Sequence, residues 1–268
     1  MVVLPALQAE LSAATDRLLA TAASLSDADL AAPSLLPGWT RGHVLAHVAQ
    51  NAGSHLNLLA WARTGVRTPQ YASLQARATA IEAAATHPVA RHLADIEEGA
   101  SRVAAAIRDM PVEYWSAHVE GMRPPPHPAW YLLVRRLREV GFHHVDLDAG
   151  YGPADWPEQF VARELHDCRA CWPRDGGTVS EPVGEIVLRS QAGGIVSRWP
   201  RLGPGPTVEG APAAVLAWLT GRSGGEGVTL VPVGRLPTPD PAALPAPPPW
   251  LAATAPADLP ATPPEDYP

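Results

Sequence analysis

The sequence predicts an antiparallel four-helix bundle followed by a small α/β domain and a proline-rich tail. Three observations predict it. Apolar residues recur at helical spacing through the first half of the 268 residues, short β-like runs appear after "YGPADWP", and proline dominates from about Gly234. A chain of this length suits two domains better than one, and the expected divisions are 1–155, 156–233 and 234–268.

The first helix is expected over Leu4 to Ala23, where Leu7, Leu11, Leu18 and Leu19 fall on one face, and "SDADL" breaks it. The second is the clearest. Its segment opens with Pro-Gly, offers Thr40 as N-cap, stays periodic to about Arg63 and stops at Gly65, a natural left-handed C-cap. A third runs from about Val89 to Met110, and "HPAWYLLVRRLREVGFHHVDLDAG" supplies a fourth ending at Gly150. Four long helices with connecting loops fit an antiparallel bundle.

Past "YGPADWP", one more helix is expected from Pro157 to about Trp172, then strands in "GEIVLRS", "GIVSRWP" and "PTVEG", a helix in "APAAVLAWLTGR" and a last strand in "GVTLVPV". The tail beyond Gly234 favours extended polyproline conformations and has too little apolar bulk to fold alone, so it should drape over the body or stay mobile.

Composition excludes several partners. With 20 basic residues, all arginine, against 27 acidic ones, the net charge of -7 provides no basic surface for nucleic acid or an anionic membrane. The start lacks the charged and small-residue pattern of a secretory signal, and no apolar run is long enough to span a bilayer, so a cytoplasmic protein, monomeric or a small homo-oligomer, is expected. Cys168 and Cys171 are too few for a disulfide framework.

Chemistry concentrates in "LREVGFHHVDLDAGY". At about 100° per residue, Leu133, Leu137, Val140 and Leu147 form one apolar arc with Glu139 and His143 together on its shoulder. Their i, i+4 spacing brings the two side chains close enough to share a metal ion or to pair with each other. His144 lies about 140° away from Glu139 on the wheel, a poor co-ligand. In the second helix Val44, Val48, Ala52 and Leu59 define the buried side, His47 and Asn51 its shoulder, whereas His43, Gln50 and Ser54 face away. His47 with Glu139 and His143 therefore makes a two-histidine, one-carboxylate set, a ligand pattern for catalytic zinc and a poorer one for non-haem iron. The plainer reading is an ion pair between a glutamate and a histidine four residues apart.

The segments "LPGWTRGHVLAHVAQNAGSHLNLLAWARTG" and "REVGFHHVDLDAGYGPADWP" closely resemble the mycothiol-dependent maleylpyruvate isomerase family, over about residues 1 to 251. The resemblance implies a DinB-like metal-binding bundle at the N-terminus and a small α/β C-terminal unit. It implies zinc on His47, Glu139 and His143, and an active-site arginine at the position of Arg222 in "WLTGRSGGEGV". The other reading of Arg222 is an arginine that satisfies the last carbonyls of the preceding helix. The implied partners are a low-molecular-weight thiol, mycothiol, as cosubstrate and a small dicarboxylate, maleylpyruvate, which thiolate addition and elimination convert to fumarylpyruvate. Asp146 or Asn51 could orient a ligand histidine, with a capping or solvated role expected for Asp146 in the last turn. Arg41, Arg123 and Arg135 could also meet carboxylates, though arginines are mostly surface residues.

Three rivals stand beside this reading. The same bundle suits an S-transferase that joins such a thiol to an electrophile. "HDCRACW", with His166, Cys168 and Cys171, could be a redox pair or half a zinc site, or simply small core residues three apart on a helix. A bundle that binds metal without catalysis is the last.

Overall fold

A computed structural model describes residues 3–172, 183–231, 244–247 and 255–268. These divide into two units, Met1–Gly152 with Ala253–Tyr267, and Pro153–Ala252 with Pro268. Among the described residues no helix is long and apolar enough to cross a membrane.

The first unit is built on four long helices, α1 (Val3–Ala23), α2 (Arg41–Thr64), α4 (Val89–Arg108) and α5 (Tyr131–Asp146), with a short α3 (Leu74–Ala84) between the second and third. Both α1 and α2 pack against both α4 and α5, so the four make the bundle that the periodicity predicts. Leu7, Leu11 and Leu18 of α1, Val44, Val48 and Leu59 of α2, Ile96 and Val103 of α4 and Leu133, Leu137 and Val140 of α5 fill its core. Gly42 lets α2 start hard against the turn after α3, because a Cβ there would run into the Ala85 carbonyl oxygen.

Both ends of α2 behave as its sequence suggests. Thr40 Oγ1 accepts from His43 N at 3.4 Å while Thr40 N donates to His43 Nδ1 at 3.2 Å, a reciprocal capping box with histidine in the third position. Gly65 closes the other end at φ 70°, its N–H on Trp61 O at 2.8 Å.

Four features differ from expectation. The Ala-rich α3, capped by Ser73, was not anticipated, and of its residues Ile81 alone is buried. The proline-rich stretch before α5 forms a hairpin, β1 (His118–Val119) antiparallel to β2 (His127–Pro128), so α5 starts at Tyr131 and not at His127. It ends at Asp146, short of Gly150, where Leu35 N and the Arg41 guanidinium take the carbonyls of Asp146, Leu147 and Asp148. Finally, Arg135, Arg136 and Arg138 are buried where surface arginines were expected. Arg135 donates to His127 Nε2 at 3.0 Å and to Gln70 Oε1 at 3.3 Å, and Arg138 to the Tyr131 hydroxyl at 3.0 Å. Residues 255–267 also belong to this unit, where Trp130 Nε1 donates to Pro260 O at 2.9 Å and Tyr267 packs edge-on against the Trp130 ring.

The second unit carries α6 (Glu158–Ala170) and a four-stranded sheet in the order β4 (Ile195–Trp199), β3 (Glu185–Arg189), β5 (Thr207–Gly210), β6 (Val228–Val231). The hairpin β3–β4 and the pair β5–β6 are antiparallel, β3 and β5 are parallel, and α7 (Pro212–Leu219) packs on β3, β5 and β6 and on α6. Ile186, Leu188, Val208, Val215 and Leu216 form its core. The strands fall where the β-like runs place them; the end of the last run, 232–233, and tail residues 234–243 and 248–254 lie outside the described residues.

Candidate metal centre

His47 enters from α2 and Glu139 and His143 from α5, two helices in direct contact. His47 Nε2 lies 3.0 Å from Glu139 Oε2, and His143 Nε2 lies 3.4 Å from the same oxygen. The rings are nearly perpendicular, with centroids 4.6 Å apart, and the three residues' donor atoms all fall within 4.8 Å of one another. Ligand atoms on a tetrahedral zinc with bonds of about 2.0–2.1 Å stand about 3.4 Å apart, so both separations match adjacent corners of such a site. Two imidazoles and one carboxylate leave a fourth position for a reactant. The opening is on the carboxylate side, where the Glu139 side chain is 28% exposed against 4% for His47.

Each of the two histidines is held by a neighbour. His143 Nδ1 donates to Asp146 Oδ2 at 2.8 Å, which turns Nε2 toward Glu139, and the Asp146 side chain is only 2% exposed. This corrects the capping or solvated role expected for Asp146. The edge of Trp39 rests on the His47 ring at 5.6 Å between centroids. Burial pushes His47 down to about 4, only partly offset by its hydrogen bond to Glu139, so the imidazole is neutral and available as a ligand. Burial raises Glu139, but hydrogen bonds from His143 and His47 outweigh it and hold the carboxyl well below its ordinary range.

Three comparisons bear on what this arrangement belongs to. Residues 11–148 match the sequence profile of the family described as "Mycothiol maleylpyruvate isomerase N-terminal domain". The chain belongs to the mycothiol-dependent maleylpyruvate isomerase family, a family of enzymes. A crystal structure described as that of the mycothiol-dependent maleylpyruvate isomerase superposes with TM-score 0.76 and 30% identity, over 92% of this chain and 97% of that one. The structure of a histidine-to-alanine mutant of the mycothiol-dependent maleylpyruvate isomerase matches at TM-score 0.75 and 29% identity, with the same coverage. Among curated proteins none matches the chain.

Within this family member the other candidate residues fall away from the centre. His43 is taken by the α2 cap and by Glu82 at 3.1 Å, and His144 donates to or accepts from Thr21 Oγ1 at 2.7 Å while stacking on Tyr151. Asn51 meets none of the candidate ligand histidines; its Oδ1 accepts from Arg136 NH1 at 2.7 Å and its backbone oxygen lies 3.0 Å from His55 Nδ1. Ser54 is buried, contrary to the wheel, because Gln70 reaches it from the following loop at 3.2 Å. Cys168 lies buried on α6 and Cys171 just after it, not joined by a disulfide, with His166 beside Asp167 at 3.2 Å. Arg222 lies in the second unit, where its NH1 donates to Thr220 O at 2.7 Å just past α7, the helix-end contact that was its other reading.

One residue at the centre was missed. Arg77, on the unanticipated α3, donates through NH2 to His47 Nδ1 at 3.1 Å and lies over the Tyr71 ring. Ligation through Nε2 places the imidazole proton on Nδ1, so Arg77 and a metal ion compete for the one lone pair of His47.

Proposed function

We propose that the protein is a zinc-dependent cis–trans isomerase that converts maleylpyruvate to fumarylpyruvate with mycothiol as its thiol. The meeting of His47 Nε2 and His143 Nε2 on one Glu139 oxygen, in a chain of this family, carries the reading. A divalent cation held by His47, Glu139 and His143 would supply positive charge at an open position, lowering the pKa of a thiol that arrives there toward neutrality.

The remaining work falls to the chain. Asp146 fixes the tautomer and direction of His143, and the Trp39 edge limits rotation of His47. The thiolate of mycothiol adds to the cis double bond, and the electron pair moves onto the oxygen of the conjugated ketone. Rotation about the new single bond and expulsion of the thiolate then give the trans alkene, with no atom gained or lost. Cationic groups must hold the two substrate carboxylates and the enolate oxygen. Arg77 supplies one beside His47, and Arg222, by the resemblance of its position, is assigned another.

The test is turnover of maleylpyruvate by the zinc-loaded protein, with and without mycothiol, following fumarylpyruvate. Thiol-dependent conversion, lost in His47→Ala and Glu139→Ala, is the expected result. A stable thioether product with no fumarylpyruvate would replace isomerisation by S-transfer, and full activity in either variant would sink the ligand assignment.

A further inference from the structure

Helix α3 is held lightly to the bundle. Ser73 caps it, and Ile81 is its one buried residue. Two of its polar side chains reach α2: Glu82 meets His43 Nε2 at 3.1 Å, and Arg77 meets His47. The Glu82 side chain is 79% exposed, so water and salt screen that pair and it holds little. The Arg77 bond ends on a buried imidazole, where it is shielded and counts for more.

That tie fixes where His47 keeps its proton. A neutral imidazole has one N–H and one lone pair. Arg77 NH2 donates to Nδ1 at 3.1 Å, so the lone pair is there and the proton is on Nε2, which donates to Glu139 Oε2 at 3.0 Å. Ligation of a metal through Nε2 requires the reverse. The proton then sits on Nδ1, none is gained or lost, and two donors face each other across the Arg77 contact. Arg77 NH2 also lies 3.5 Å from Nε2, so the guanidinium and a cation at that nitrogen repel each other. Coupling between binding events is reciprocal: by whatever factor the Arg77 contact weakens the metal, the metal weakens the Arg77 contact.

We propose that Arg77 is a latch: it docks α3 on His47 in the metal-free protein, and metal binding at His47 releases the helix together with its guanidinium. The latch rests on His47 being a ligand, as proposed above, and on no particular reaction. Its consequence is an order of events. Arg77 becomes free to meet a carboxylate only once the metal is in place, so a carboxylate ligand finds this cation after the metal and not before it. With a single buried side chain to hold it, α3 belongs to the part of the fold that opens most readily, and loss of one bond shifts it measurably.

Hydrogen exchange read by mass spectrometry tests it, on the full chain with and without zinc at one pH, with zinc occupancy measured on each sample. Zinc is expected to speed exchange in residues 74–84 at least about fivefold, while it slows exchange around His47, Glu139 and His143. In Arg77→Ala, α3 should exchange fast in both samples and zinc should leave it unchanged; in Glu82→Gln the zinc effect should persist. Unchanged or slower exchange of α3 in wild-type protein that holds zinc overturns the latch and leaves the metal centre standing. A zinc effect on α3 that survives in Arg77→Ala overturns it too, because the release would then not pass through Arg77. Failure of the wild-type protein to hold zinc would instead sink the ligand assignment, and the latch with it.

Discussion

Replacing Asp146 by Asn tests whether the carboxylate behind His143 sets the strength of the metal centre. The hydrogen bond from His143 Nδ1 is 2.8 Å long and the Asp146 side chain is 2% exposed, so water screens the pair little. Asp146 raises the pKa of His143 against the lowering effect of burial, which makes Nε2 a better electron donor. Asparagine keeps the size and can keep an acceptor, but loses the charge. Loss of such a partner weakens metal binding by about 10- to 100-fold, or about 1.4–2.7 kcal/mol. Competition for zinc against a chromophoric chelator at neutral pH measures it, and His144→Gln is the control. His144 sits in the same helical turn but points to Thr21 and Tyr151, so its loss loosens the turn without touching a ligand. Zinc affinity of Asp146→Asn within twofold of wild type, or an equal fall in His144→Gln, would refute the orienting role.

Other outcomes follow from the same structure. Acid should unfold the protein early: burial first, and the neighbouring Arg135 charge second, lower both His55 and His127 to about 3. In the unfolded chain each titrates near 6.5, so the unfolded state binds more protons below that pH; stability is whole above about 6.5 and falls as pH drops toward 3, by about 2 kcal/mol per histidine at pH 5. Denaturant titrations at pH 8 and pH 5 check this, and equal midpoints would contradict it. Gly42→Ala should cost about 1–3 kcal/mol, because the new methyl meets the Ala85 carbonyl oxygen and the backbone must shift; an unchanged thermal midpoint would deny the close approach. Arg77→Ala should tighten zinc severalfold, since it frees His47 Nδ1 and removes a cation beside the metal; weaker binding in chelator competition would instead make Arg77 a support of the site.

The sequence makes the candidate ligand set legible because its parts are local. Glu139 and His143 share a face by helical spacing, and the apolar arc of α2 turns His47 inward and leaves His43 to the cap. What it hides comes from elsewhere in the fold. Arg77 reaches His47 from α3, a helix with a single buried residue and hence almost no periodic signal; the serine cap at Ser73 was the cue available. Ser54 looks outward on a wheel that cannot show Gln70 folding over it.

The buried arginines of α5 are the harder case, because a charge in sequence reads as exposure until the residues that cover it are known. Here His127 and Gln70, both neutral, take Arg135, and Arg138 donates to the Tyr131 hydroxyl. A net charge of -7 thus says nothing about the interior around Glu139. That one carboxylate acts on the charges of both Arg135 and Arg136, while Arg77 stands at its histidine partner. A divalent cation would add to an already positive surrounding, and a substrate bringing two carboxylates is the kind of ligand that such a surrounding favours.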